Sequence, residues 1–122
     1  MLRVAIIAAA ALIGAAVCAS AADEKEKECD GSTYDIITCQ KGNLVILEKR
    51  LAKAYAKALE MADNAKQRGQ LERAQDQWLR FRDADCDYYE FADGTIARIR
   101  GGNCMLDLTR ARAKELEEAV EP

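Results

Sequence analysis

Five acids crowd one short stretch of the sequence: Asp83, Asp85, Asp87, Glu90 and Asp93. Paired carboxylates can serve as general acid and base on a glycoside. Here they fall on a helical segment with no neighbouring nucleophile, and the spacing is not that of a calcium-binding EF-hand loop. The chain also contains no histidine, which removes the commonest general base and the commonest zinc ligand. The expectation is no catalysis, no metal and no cofactor. What an acidic run of this kind does well is attract a basic protein.

Two further groups could bind something. Gln75, Trp78 and Arg82 recur at spacings of three and four, which lines them along one helical face with Cys86 continuing it. Such a stripe reads as a ligand surface or, more simply, as the edge of a core where Arg82 packs on an aromatic ring and meets a carboxylate. Thr109-x-x-Arg112-x-x-x-Leu116 poses the same choice, because a half-buried guanidinium requires an anionic or carbonyl partner. Asp85 is the expected partner of Arg112. The structural reading is favoured for both groups. Arg98-Ile99-Arg100, placed before Gly101-Gly102 and close to Cys104, reads as a loop that could protrude as a contact element.

The cysteines say where such a protein works. There are five in 122 residues, and Cys18 belongs to a segment with the pattern of an export signal. Arg3 precedes an apolar run over residues 4–17, and Ala19-Ser20-Ala21 supplies a small-x-small cleavage pattern. The run is too short to span a bilayer comfortably. A lipobox is poorly matched, with Val17 before Cys18 and Ala15 where leucine is usual. Cleavage after residue 21 leaves residues 22–122 as one domain. It removes Arg3 alone among the charges, leaving 17 cations against 21 acids, a net charge of −4. Nucleic acid and an anionic membrane are disfavoured as partners by that sign. Cys29, Cys39, Cys86 and Cys104 remain, an even set without CxxC spacing. In an exported chain they read as two disulfides whose connectivity is open among three arrangements.

The elements that position these residues are helical. Seven glycines and one proline are too few for a fold rich in strands and turns. Ser32 with Asp35 resembles a capping box. From there to about residue 66, Ile37, Leu44, Leu47, Leu51, Tyr55, Ala58 and Ala62 keep helical periodicity, with Gly42-Asn43 as a point of kinking or interruption. Gly69 marks a turn. Residues 70–91 repeat the pattern, with Leu71, Trp78 and Asp85 in one row and Ala74, Phe81 and Tyr88 in the adjacent one. Residues 92–103 read as a loop, and a third helix over residues 104–119 buries Leu108, Leu116 and part of Arg112. The expected fold is all-α: a small three-helix antiparallel bundle, a helical hairpin plus a C-terminal helix, stapled by two disulfides at one pole.

Cys29 and Cys39 precede Leu51-x-x-x-Tyr55, then Leu71-x-x-Ala74-Gln75-x-x-Trp78-Leu-x-Phe81-Arg82-Asp83-x-x-Cys86, then Cys104 and Thr109-x-x-Arg112-x-x-x-Leu116. On these residues the sequence resembles the LprI-type lysozyme-inhibitor family of small exported bacterial proteins, over nearly all of the mature chain. It departs from the family in having Ala52 after Leu51, where asparagine is frequent, and in its poor lipobox. The resemblance implies an all-helical, disulfide-bonded envelope domain and names lysozyme inhibition as the activity.

The leading expectation is therefore a non-enzymatic periplasmic or secreted protein that binds a basic lysozyme by surface contact. Asp83, Asp87, Glu90, Asp93, Arg98 and Arg100 are the expected contact residues, and Gln75, Trp78, Arg82, Thr109 and Arg112 the structural motif. The alternative is an interaction module of the cell envelope with no lysozyme activity, which a continuous apolar patch on the surface would favour.

Overall fold

A computed structural model describes residues 24–121 of the chain, so the expected signal segment, Cys18 included, lies outside the described residues. Three helices follow in order: α1 (Thr33–Glu60), α2 (Ala65–Glu90) and α3 (Ala97–Glu118). α1 starts at a reciprocal capping box, in which the Ser32 hydroxyl accepts from the Asp35 amide and the Asp35 carboxylate accepts from the Ser32 amide. α2 starts at Asn64, whose side chain accepts from the Gln67 amide at 2.9 Å. α3 begins at Ile96 with no side-chain cap. The all-α bundle with two disulfides expected from the sequence is the fold observed.

Interhelical bonds fix the directions. Gln40 reaches Ile99 and Asn103, and Arg50 reaches Glu117, so α1 and α3 run parallel. Arg82 meets Thr109, and Gln75 meets Arg112, so α2 runs antiparallel to α3. α3 packs extensively on both of the others, whereas α1 and α2 touch little. α3 is thus the shared spine, and a cleft opens where α1 and α2 diverge above it.

The apolar core gathers at the pole where α1 turns into α2. Leu51, Ala54, Ala58, Ala113 and Leu116 are buried there, and Tyr55, Leu71, Trp78 and Val120 pack against them. At the opposite pole Cys29 is bonded to Cys39 and Cys86 to Cys104. The buried groups there include Gln40, Asn43, Arg82 and Thr109. Among the described residues no buried side-chain nitrogen or oxygen is left without a hydrogen-bond partner, as burial of polar groups requires.

Several boundaries differ from the sequence expectation. α1 passes unbroken through Gly42-Asn43, because Asn43 is buried and bonded instead of loosening the turn. α1 ends at Glu60, not near residue 66, and Gly69 lies inside α2. Phe81 and Tyr88 face solvent instead of the core, and α2 buries Gln75, Arg82 and Cys86. Leu108 is only half-buried. The loop expected over residues 92–103 shrinks to residues 91–96, since α3 begins at Ala97. Gly101 and Gly102 are helical, and each marks a close approach. A Cβ on Gly101 would come 2.7 Å from the Glu90 Cβ, and one on Gly102 would come 2.7 Å from the Gln40 Cδ. The paired glycines are a notch that lets α3 slide between its neighbours, which local sequence cannot distinguish from a turn signal.

Candidate partner-binding surface

The seam between α2 and α3 is built from Gln75, Trp78, Arg82, Thr109 and Arg112. The Arg82 side chain is 7% exposed. Its Nη1 donates to the Thr109 hydroxyl at 3.1 Å and to Glu48 of α1 at 3.3 Å, and its Nε donates to Asp83 at 3.0 Å. The guanidinium lies 5.3 Å from the Trp78 ring centroid. One side chain therefore joins all three helices, and its charge is met by two carboxylates and an aromatic face. Arg112 donates from Nε to the Gln75 Oε1 at 3.0 Å and from Nη1 to Glu115 at 2.9 Å. Asp85 is not its partner. The register that sets Arg82 against Thr109 and Cys86 against Cys104 puts Gln75 level with Arg112 and leaves Asp85 further toward the disulfide pole.

The segment before α1 has no regular structure but is held at several points. Asn43 accepts from the Lys27 amide at 2.8 Å and donates to the Lys27 carbonyl at 2.7 Å. Arg110 holds Glu26 through two bonds, at 2.6 and 3.1 Å. Cys29 is fixed to Cys39 of α1. This arm covers α1 and α3 on the flank away from α2. The titrating groups with shifted pKa serve the fold. Bonds to Ser32 lower the Asp35 pKa, and the Arg50 guanidinium lowers that of Glu117. The Glu26 carboxylate raises the pKa of Arg110, and burial raises that of the Tyr55 phenol.

The cleft between α1 and α2 at the disulfide pole measures about 560 Å³. Asp83, Asp87 and Glu90 of α2 form one wall, and Ile37, Lys41 and Leu44 of α1 the other. Gly101, Gly102 and Met105 of α3 lie between them, with Arg98 at the start of that helix. Four of the six contact residues expected from the sequence, Asp83, Asp87, Glu90 and Arg98, therefore share one cleft. Asp93 and Arg100 do not line it; both are exposed at the α2–α3 corner. Arg98 and Arg100 sit in the first turn of α3 and not on a protruding loop, so they are presented on a rigid element. Among the described residues no ion pair involves Asp87, Glu90, Asp93, Arg98 or Arg100.

The acids stand at the end of α2, where no basic residue occupies the last turn. Carboxylates near a helix C-terminus oppose the macrodipole, by about 0.3–1 kcal/mol each at an exposed site. These charges detract from the stability of their own helix, so their placement is not accounted for by folding alone. A larger groove of about 1070 Å³ on the other flank of α1 has Lys49, Lys53 and Lys57 facing Glu117 and Glu121. It presents both signs of charge. Sequence reasoning missed Lys41 and the floor glycines, because their role arises only where three helices converge.

Among the described residues no cluster of three His, Cys, Asp or Glu side chains could hold a metal, and no helix is long and apolar enough to cross a membrane. A family model described as lysozyme inhibitor LprI matches residues 18–116. The chain belongs to the LprI family. Comparisons with curated proteins and with solved structures found no match. The matched span takes in both disulfides, the Arg82 network and the cleft of this LprI-family chain.

Proposed function

We propose that this LprI-family chain is an exported binding protein that inhibits a lysozyme by covering it, without bond-making chemistry. The family match carries this reading. The unpaired acids at the end of α2 support it, since lysozymes of the host type are strongly basic and opposite charge accelerates and orients encounter. Asp83, Asp87 and Glu90 on the cleft wall, with Asp93 and the Arg98–Arg100 turn beside them, form the contact surface. Export and cleavage after residue 21 put the domain in the periplasm or outside the cell, where both disulfides persist. Inhibition is steric: a rigid corner, braced by the Cys86–Cys104 bond, occupies the enzyme cleft. The test is lysozyme turnover on cell-wall substrate with increasing amounts of the purified, oxidised protein. The expected result is a saturable loss of turnover that weakens as salt rises. Full turnover at large molar excess, across several lysozymes, would refute the inhibitor reading.

A second reading, an envelope interaction module without lysozyme activity, is favoured by one observation. Phe81, Tyr88 and Phe91 are exposed on a single element and its cap. On that reading the partner recovered from the envelope is another protein, and lysozyme turnover is untouched.

A further inference from the structure

The cleft between α1 and α2 has two kinds of surface. Ile37 and Leu44 of α1 and Met105 of α3 give it an apolar lining, and each of the three is only half-buried. The α2 side is acidic, and its acids continue past the cleft. Glu72, Asp76, Asp83, Asp87 and Glu90 follow at intervals of four, seven, four and three, so they share one flank of α2. That flank faces α1 at both poles. Asp83, Asp87 and Glu90 line the cleft opposite Ile37 and Leu44. At the apolar pole, burial and then the charge of Glu72 raise the pKa of the Tyr55 phenol on α1.

The fold uses only part of this charge. Asp83 and Glu48 meet the buried Arg82 guanidinium, and Asp76 pairs with Arg80 at the surface. Glu72, Asp87 and Glu90 have no ion-pair partner among the described residues. Lys41 and Arg98 also border the cleft, but both are exposed cations on long stems that can turn out into solvent. The acids stand on a helix held by the Cys86–Cys104 bond and the Arg82 network, and the negative end of the α2 dipole lies at the same pole. The cleft runs alongside residues 37–44, 83–90 and 98–105, a length of roughly 10 Å at 1.5 Å per helical residue. That is too short to seat a partner helix of several turns, and it suits one inserted side chain.

Building on the lysozyme reading above, we infer that the α1–α2 cleft is a socket for one lysine or arginine side chain projecting from a basic partner protein. The aliphatic stem packs on Ile37, Leu44 and Met105, and the charged head is held by Asp87 and Glu90. Glu72 and Asp76 carry the contact further along α2 and draw the partner in. The contact thus follows the groove between two helices, onto residues far from the α2–α3 corner.

Association and dissociation rates with a basic lysozyme separate insertion from attraction. Leu44→Trp fills the cleft without changing charge. It should dissociate at least about tenfold faster, with association within about twofold of wild type. Lys41→Gln removes a competing cation and should bind at least about twofold more tightly. At physiological salt, Glu72→Gln/Asp76→Asn should associate about threefold more slowly, whereas Glu28→Gln/Asp30→Asn, an equal change of charge on the arm, should associate as wild type does. Melting curves check the fold of each variant. Should Leu44→Trp melt early, Lys41→Gln at its exposed position carries the test. Equal or weaker binding by Lys41→Gln, or wild-type dissociation in folded Leu44→Trp, would overturn the socket while leaving the inhibitor reading intact. Failure of the wild type to bind any lysozyme would overturn both, before a variant is made.

Discussion

The two poles of this bundle are held together by different physics. Where α1 turns into α2, two leucines and three alanines are buried with Tyr55, Leu71, Trp78 and Val120 packed around them, and no disulfide reaches that far. At the other pole the large buried aliphatics are Leu47 and Leu106, and the remaining buried positions include Gln40, Asn43, Arg82, Thr109 and a half-cystine. The first pole gains its stability by removing apolar surface from water. The second is held by covalent bonds and by polar groups whose burial is offset, one by one, with hydrogen bonds. A pole assembled in the second way does not need its aromatic side chains for cohesion. Phe81, Tyr88 and Phe91 can therefore stand in solvent on a helix that is still rigid, which is what a recognition surface requires.

The largest effect should come from the apolar pole. Leu116 is 4% exposed within the core cluster, and Leu116→Ala removes several buried methylenes and leaves a cavity. The expected loss is about 2–5 kcal/mol in the unfolding free energy measured by denaturant titration. The transition should remain a single cooperative step, because α3 is the spine of both poles. A loss below about 1 kcal/mol would show that this cluster is not the seat of stability, and the contrast between the poles would fall.

Removing the covalent brace of the other pole should cost somewhat less and act more locally. Cys86 and Cys104 close a loop of sequence separation 18, and a bridge of that kind typically stabilises by about 2–4 kcal/mol. In Cys86→Ala/Cys104→Ala, amide exchange should rise first in the last turns of α2 and the first turns of α3. Residues around Leu51 and Ala113 should follow only with global unfolding. Uniform acceleration across all three helices would mean that the two poles open together and do not differ in local stability.

The same division explains which features the sequence disclosed. The capping box at Ser32 and Asp35, the periodicity around Leu47, Leu51 and Ala58, and the placement of Cys39, Cys86 and Cys104 at one pole are local or periodic signals, and the structure contains them. The rotation of α2 was only partly legible. Hydrophobicity assigns Phe81 and Tyr88 inward, whereas the helix is turned so that Arg82 and Gln75 are buried. What makes that rotation favourable is supplied from elsewhere in the chain, by Glu48, Thr109 and Arg112. The start of α3 was missed for a similar reason. Gly101 and Gly102 are explained by the closeness of Glu90 and Gln40, which are distant in sequence. The acids of the cleft wall were found as a run, but Lys41 on the facing wall carries no local signal at all.

The smallest expected effect tests whether charge holds the apolar pole as well. Arg50 of α1 donates to Glu117 of α3 at 2.6 and 2.8 Å, and this bond lowers the pKa of Glu117. A carboxyl with a folded-state pKa below its unfolded value stabilises fully above the unfolded value, near 4.3, and loses that contribution as pH falls through the folded value. Both side chains are more than a third exposed, at 41% and 37%, so solvent and salt screen the pair. Glu117→Gln should therefore lower stability by only about 0.2–1 kcal/mol at pH 7. The deficit should shrink steadily in acid below pH 4 and also in high salt. A deficit that persists in acid would come from the amide nitrogen that Gln turns toward the Arg50 guanidinium, in place of an accepting oxygen, and not from the lost charge. Charge would then contribute nothing at the apolar pole, which would make the two poles differ more, not less.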